Sequence, residues 1–515
     1  MKRCFILLAV LICVVGMTFA GGNRAGAASA TDPVRITILF PDNATLPFRN
    51  DWLTVRKAEE MFNARITWEP IPIADFVTRS NLVLTTGINT PDVILYLTIA
   101  GDLITLAQNG QIVPIGDYSQ WTPNFNAKVT QFGRQAEVDQ TRVNGKLYSL
   151  PRVFDSQFFD GGLILREDIL QRYNMAAPRT FDDLYNILIR YKRENPSSYP
   201  MTILAGPRVH YRFTQPSWGI SVHANGAGGS RVLSWDYSQR RWFAGAISDQ
   251  YRDYMRFWSR LYREGLLDPE MVDPINGDVW TRKLATGSAI ATYAYYDQIG
   301  GVTAASTIPG FKLNLYPPLA GPAGAFTQQK DNIGQGIVFP IATSRRPDFE
   351  RIVRTVDEMF FGPQAELLWC IGVEGETYTM QGNNIRYIDS IVTSPDGIYK
   401  AMQLRYGAGV DPFQYVWVNA REMTKYDENY AAINRAVAAM PNVFQYIPPA
   451  PRFSTPAQAE RASSLMGILY DTFVVWDNAF LTGQRNIETE WNTYVNEMRA
   501  RGIEEYLNIY NANLR

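Results

Sequence analysis

"SLPRVFDSQFFDGG" runs from Ser149 to Gly162, and its reading decides the fold. The stretch is extended, polar and aromatic, carries Pro151, and closes on two glycines. A segment of this kind can change its backbone dihedrals without disturbing a core on either side. It reads as a link between two blocks of strand and helix. Upstream, "VRITILF" (34–40) alternates and is β-branched, which predicts a first strand. A helix follows at about 52–63, then the strand "ARITWEPIPI", the helix "DFVTRSNLVLTTG" and the short buried strand "PDVILYL". Strand, helix, strand, helix, strand is the rhythm of a parallel sheet covered by helices.

Downstream the pattern begins again. "GGLILREDILQRYNM" gives a strand and a helix. "PRTFDDLYNILIRYK" gives a helix with Thr180 as N-cap and Asp182 and Asp183 in its first turn, where the helix dipole favours them. In "DQYRDYMRFWSRLYREGLLDPE", Tyr251, Met255, Trp258, Leu261 and Tyr262 fall on one helical face, and Gly265 ends it. "AIATYAY" is a further strand. "YPPLAGPAG" (316–324) is the strongest loop signal and reads as a second link. The last hundred or so residues are mostly helical in pattern. The expected division is a first lobe of about 31–150 with 315–380, and a second of about 151–314 with 381–515.

The 515 residues are too many for one average domain. With 46% hydrophobic and 19% charged residues, a large core is within reach. A net charge of -1 gives no steering toward nucleic acid or an anionic membrane. Lys2, Arg3 and the apolar "FILLAVLICVV" (5–15) form an export signal too short to span a bilayer, with Thr18-Phe19-Ala20 as one candidate cleavage site and Ala28-Ser29-Ala30 as a second. Residues 1–20 are therefore read as signal peptide and 21–30 as flexible linker. Cys4 and Cys13 leave with the leader, and Cys370 in "LLWCIG" reads as a buried small hydrophobe. No disulfide is expected.

Much chemistry is absent. The two histidines, His210 and His223, are too few for the usual zinc sites, and no G-x-S-x-G elbow or phosphate-binding loop occurs. "NGAGGSR" (225–231) reads as a surface turn, and "DPINGDVW" resembles a calcium loop only faintly. No catalytic residue, metal or cofactor is expected. A glycosidase needs only two carboxylates, and among 50 acidic residues such a pair cannot be picked out.

The leader, "TPDVILYL", "NGKLYSLP", "LILREDILQRYNMAAPRTFDDLYNIL", "LYREGLLDPEM", "LATGSAIATY", "LYPPLAGPAG" and "GVEGETYTM" occur in this order across roughly 34–380. Together they resemble the extracellular solute-binding proteins of ABC importers, the broad family that includes maltose-binding protein. Within it they are most similar to the large lipoprotein-like members thought to take up oligosaccharides. "LYREGLLDPEM" and "GVEGETY" are the more specific; the part after about 390 matches less distinctly. The resemblance implies an α/β, two-lobe periplasmic-binding-protein fold of type II. Each lobe is then a mixed sheet covered by helices, with a helical C-terminal part. Ligand binds between the lobes, which close on it. It also implies an oligosaccharide ligand, ABC permease subunits as partners, a monomer, and no enzyme activity. Many relatives carry a lipid-modified cysteine after the leader; Gly21 and Gly22 stand there instead, so a soluble periplasmic protein is expected over an anchored one. The rival readings are a secreted glycosidase, a binding protein for a non-sugar solute such as a peptide, and a sensor partner for a membrane kinase.

A sugar cleft wants aromatic faces beside polar side chains. "TYAYYDQ" (292–298) fits, and in relatives an aromatic residue at this point stacks on ligand; Tyr295, Tyr296 and Asp297 are the leading candidates, with packing the alternative for the rings. Tyr96 ends a strand where open α/β sheets place ligands. Phe154 and Asp155 lie in the link, Trp218 on the loop "QPSWGIS", and Asn43 just after the first strand. In "GVEGETY" (372–378), Glu374 and Glu376 share one glycine-bracketed turn, a poor arrangement for flanking a scissile bond. The turn reads as structural, with Glu376 retained as a ligand candidate.

Overall fold

The computed structural model describes residues 32–43, 46–97, 102–154, 159–203, 208–223, 231–272, 277–296, 298–328, 333–382, 384–394, 397–417, 428–445, 455–512 and 514. The leader, the linker, Asp155, Asp297, most of "NGAGGSR" and part of "DPINGDVW" lie outside the described residues.

The strands that position the site are β1 (Val34–Asp42), β2 (Ala64–Pro72), β3 (Val93–Leu97), β4 (Leu150–Phe154), β5 (Gly161–Arg166), β6 (Ala291–Tyr295), β7 (Leu313–Leu315), β8 (Ile333–Val338) and β9 (Val416–Trp417). A six-stranded sheet has the order β9-β4-β8-β3-β1-β2. Only β8 runs antiparallel to its neighbours there. The ends of β1, β2, β3, β4 and β9 and the start of β8 therefore share one edge. β1 is buried on both faces through Ile36, Ile38, Leu39 and Phe40, as an interior parallel strand must be. Helix Phe349–Phe361 covers one face, sinking Ile352, Val353, Val356 and Phe360 into the core that β1 lines.

A second core surrounds the antiparallel sheet β6-β5-β7. Its register sets Gly161 opposite Tyr295 and Leu165 opposite Ala291. Helix Phe181–Glu194 starts as the sequence predicts. The Thr180 hydroxyl accepts from the Asp183 amide at 3.1 Å, and the Asp183 carboxylate accepts from the Thr180 amide at 2.9 Å. On helix Asp249–Arg263, Tyr251, Met255, Trp258 and Leu261 are fully buried, and Gly265 takes the left-handed conformation that ends it. Each apolar side chain of the Met255 or Leu261 kind contributes about 1.5–3 kcal/mol by leaving water. The C-terminal helices Pro456–Thr482, Ile487–Ala500 and Ile503–Asn511 pack on the same core through Phe473, Trp476, Tyr494 and Tyr506.

The buried cores correct the expected lobe boundaries in three places, the first being Val153, expected in the second lobe but buried in the first core. Tyr316 and Leu319 belong to the second core, and the Ser217 hydroxyl donates to the Leu319 carbonyl at 2.8 Å. "YPPLAGPAG" is thus a loop resting on the second lobe rather than a link. Ile385, Tyr387, Ile391, Met402, Phe413, Tyr415 and Val416 are buried in the first core, not the second. Local pattern reports that a segment is apolar; it does not report which of two apolar cores takes it up.

A charged group is sealed into the second core. Asp477 is 2% exposed; its carboxylate accepts from Tyr211 Oη at 2.7 Å and Tyr251 Oη at 2.5 Å. Burial, then the Asp477 charge, pushes both phenols well above their ordinary range, so they stay protonated donors. The "GVEGETY" turn is built as tightly. The Thr377 hydroxyl accepts from the Val373 amide at 2.8 Å and donates to the Ile371 carbonyl at 3.0 Å. A Cβ on Gly372, whose φ is 100°, would stand 2.4 Å from that hydroxyl.

Two outcomes are expected in chemical denaturation. Asp477→Ala strands two buried phenols and opens a void, and lowers stability by about 3–5 kcal/mol. Gly372→Ala meets both the clash and the left-handed backbone, and costs about 1–3 kcal/mol, whereas Glu376→Gln, on the exposed tip, stays within about 0.5 kcal/mol of the parent.

Candidate ligand-binding site

Along the described residues the chain changes core three times: from Val153 in the first to Phe159 in the second, from Leu319 in the second to Ile333 in the first, and from Val416 in the first to Tyr430 in the second. On the first lobe these passages leave from adjacent strands. Val153 pairs with Ile333 on one side and Val416 on the other, and Phe154 pairs with Trp417. All three depart from the one sheet edge where β1, β2 and β3 also end. On the second lobe the first passage arrives at β5, whose opening residue Gly161 pairs with Tyr295. The strand ends of the first lobe and the Gly161–Tyr295 end of the second are the two edges next to these passages.

On the second lobe, Tyr295 ends β6 and is 37% exposed, unusually open for a ring at a strand end. Its hydroxyl accepts from Arg212 Nη1 at 3.0 Å, and Phe213 meets its ring edge-on at 5.8 Å. These contacts hold the ring while leaving part of it in solvent. Tyr296 behaves differently: it stacks on the buried Tyr430 with ring centres 4.4 Å apart, and its amide donates to the Asp160 carbonyl at 2.8 Å. Tyr296 is committed to joining the start of β5 to the 428–438 helix.

On the first lobe, Tyr96 has φ 63°, a left-handed conformation that costs an aromatic residue about 1–3 kcal/mol. Two hydrogen bonds hold it there. Its amide donates to Tyr415 Oη at 2.7 Å and its own hydroxyl donates to Asp411 Oδ2 at 2.5 Å. Burial, then the Asp411 charge, pushes the Tyr96 phenol up, so it remains a donor. The Arg152 guanidinium lies 5.0 Å from the Tyr96 ring centre and donates through Nη2 to Asp411 Oδ1 at 2.8 Å. It also donates through Nε to the Gln414 carbonyl at 2.8 Å and through Nη2 to the Asp411 carbonyl. Burial opposes the charge on Arg152, but Asp411, Tyr96 and Tyr415 outweigh it and hold its pKa above the ordinary value.

The other sequence candidates divide. Asn43 is exposed just past β1, on the same edge, its carbonyl accepting from the Leu46 amide at 2.9 Å. Phe154 ends β4, buried at 8% exposure, and its carbonyl accepts from Arg134 Nε at 2.9 Å. Trp218 is a correction: at 5% exposure its ring packs on Phe181, Tyr254 and Phe257 at 4.3, 5.1 and 5.7 Å, inside the second core. A short 3-10 turn, Gln215–Trp218, folds the supposed loop inward. Glu376 is exposed, and its charge reaches Lys57 on helix Leu53–Met61. Sequence reasoning did not single out Asp411, Arg152 or Arg212, which the structure places beside Tyr96 and Tyr295. Arg152 lay in the opening stretch, but 259 residues separate it from Asp411, and no local signal links them.

Several known proteins resemble this chain. The family model for bacterial extracellular solute-binding proteins matches residues 54–338. The fructooligosaccharide ABC transporter substrate-binding protein FusA of Streptococcus pneumoniae is 22% identical over 557 aligned positions, covering 98% of this chain and 97% of its own. Among solved structures, the alginate-binding protein AlgQ2 superposes with a TM-score of 0.77 at 18% identity, covering 94% of this chain and 99% of its own. FusA bound to kestose gives a TM-score of 0.71 at 18% identity, covering 93% and 98%. The fold is the two-lobed, type II solute-binding architecture. The chain belongs to the bacterial extracellular solute-binding proteins.

Proposed function

We propose that this protein is a receptor that captures an oligosaccharide between its two lobes and passes it, unaltered, to the permease of an ABC importer. The observation that carries this is that β4, β8 and β9, the adjacent strands at which the chain leaves the first lobe, share a sheet edge with the polar corner of Tyr96 and Asp411, while on the second lobe Tyr295 stands as an open ring at the end of β6. Parallel passages act as a hinge, because rotation there leaves both cores intact. An exposed ring accepts the apolar face of a sugar, and carboxylate, phenol and guanidinium groups accept or donate to its hydroxyls. The names of similar proteins support the same ligand class: fructooligosaccharide for FusA, alginate for AlgQ2, and polygalacturonan and rhamnogalacturonan for YtcQ of Bacillus subtilis, 25% identical over 200 residues. Among the described residues no helix is long and apolar enough to cross a membrane, which suits a receptor that acts as a monomer outside the membrane and meets the permease there.

A panel of neutral and uronate oligosaccharides tests the proposal. At least one member is expected to raise the melting temperature by several degrees, since ligand at a hundred times its Kd adds about 2.7 kcal/mol. The ligand should be recovered at its original length; shortened product would overturn the receptor reading. For the strongest binder, Tyr295→Ala is expected to weaken affinity roughly ten-fold or more, while Trp218→Phe leaves affinity unchanged and lowers only stability.

A further inference from the structure

We propose that Asp411 is the specificity-determining acceptor of the first lobe, taking two adjacent hydroxyls of the glycan, with Arg152 and Tyr96 as its positioning residues. This rests on the glycan-receptor reading above. Asp411 opens a 3-10 turn, Asp411–Phe413, that is docked on the sheet by Phe413, whose ring lies 5.1 Å from Phe40 and 5.0 Å from Trp369. The turn packs against β1 and β3 at the edge from which the chain passages leave. The side chain of Asp411 is 52% exposed, while the Arg152 side chain that holds it is only 4% exposed. The charge pair is therefore asymmetric: the cation is sunk in the protein and the anion is offered outward.

The two carboxylate oxygens are fixed separately. Oδ1 accepts from Arg152 at 2.8 Å and Oδ2 from Tyr96 Oη at 2.5 Å. Arg152 also grips the main-chain carbonyls of Asp411 and Gln414, so the turn and the carboxylate are clamped by one group. A carboxylate offers about four lone-pair directions. One anchored from behind presents both oxygens to a pair of donors with little ordering cost on binding. Two hydroxyls on neighbouring sugar carbons are such a pair. Charge-assisted bonds to them are roughly twice as strong as neutral ones.

A second observation marks the same corner. Gln414, at 1% exposure, has neither its amide nitrogen nor its amide oxygen hydrogen-bonded, although buried amides are nearly always partnered. The backbone of Tyr96 is left-handed at φ 63°, a strained conformation for an aromatic residue.

The test uses the full mature chain and the strongest binder from the oligosaccharide panel, together with its mono-deoxy analogues, in calorimetric titration. Asp411→Asn keeps the size of the side chain and removes the charge. It is expected to weaken the parent glycan roughly ten- to hundred-fold. The same variant should cost clearly less affinity for each of the two mono-deoxy analogues that lack a hydroxyl of the recognised pair, because one of the two contacts is already missing. Tyr96→Phe, which keeps the ion pair and loosens one carboxylate oxygen, should give a smaller loss of a few fold and guards against a misfolded Asn variant. Unchanged affinity in Asp411→Asn, or an equal loss for the parent and every deoxy analogue, overturns this assignment and leaves the receptor reading standing. Failure of the unmutated protein to bind any glycan overturns both.

Discussion

The pairing of β4 with β8 on one side and β9 on the other is the constraint on which the rest depends. Through Val153 it ties Ile333 and Val416 into one ladder, so three chain passages leave the first lobe side by side. A single passage would let the lobes swing freely, and widely spaced ones would lock them. Adjacent strands give a narrow seam about which rotation disturbs neither hydrophobic core. The ladder also explains the place of β8, which returns from the second lobe and so must run antiparallel to strands that are leaving.

A buried cation sits beside this seam. Removing a guanidinium from water costs several kcal/mol unless charge and hydrogen bonds compensate. Arg152 obtains both from the 411–414 turn and from the aromatic faces of Tyr96 and Tyr415. The same contacts pull residues 411–417 onto the sheet edge and help carry the chain into β9. Charge compensation and chain path are thus fixed by one group of residues. Asp477 in the second lobe shows the contrast: it is enclosed by tyrosines, serves packing specificity, and offers nothing to solvent.

Aromatic residues follow the same division. Trp218 and Tyr296 resemble ligand-stacking rings in local sequence, yet each is taken up by packing on neighbours. Tyr295 differs because it ends its strand at the lobe boundary, where the next layer of protein stops. Arg212 and Phe213 brace it without covering it. Position at an edge, rather than residue type, separates a ring that can meet ligand from one that cannot.

By itself the sequence determined the two-block α/β plan, the strand-helix rhythm of the first lobe, the Thr180 cap, the buried face from Tyr251 to Leu261 and the structural character of the 372–378 turn. These are legible because they rest on periodicity, capping and glycine conformation, all set within a few residues. Only the tertiary structure decided that 316–319 belongs to the second lobe and 385–416 to the first, that Trp218 is core, and that Arg152, Tyr96 and Asp411 form one corner. The physical reason is that burial and charge pairing depend on which surfaces meet, and residues 259 and 315 positions apart meet only once the sheet has closed.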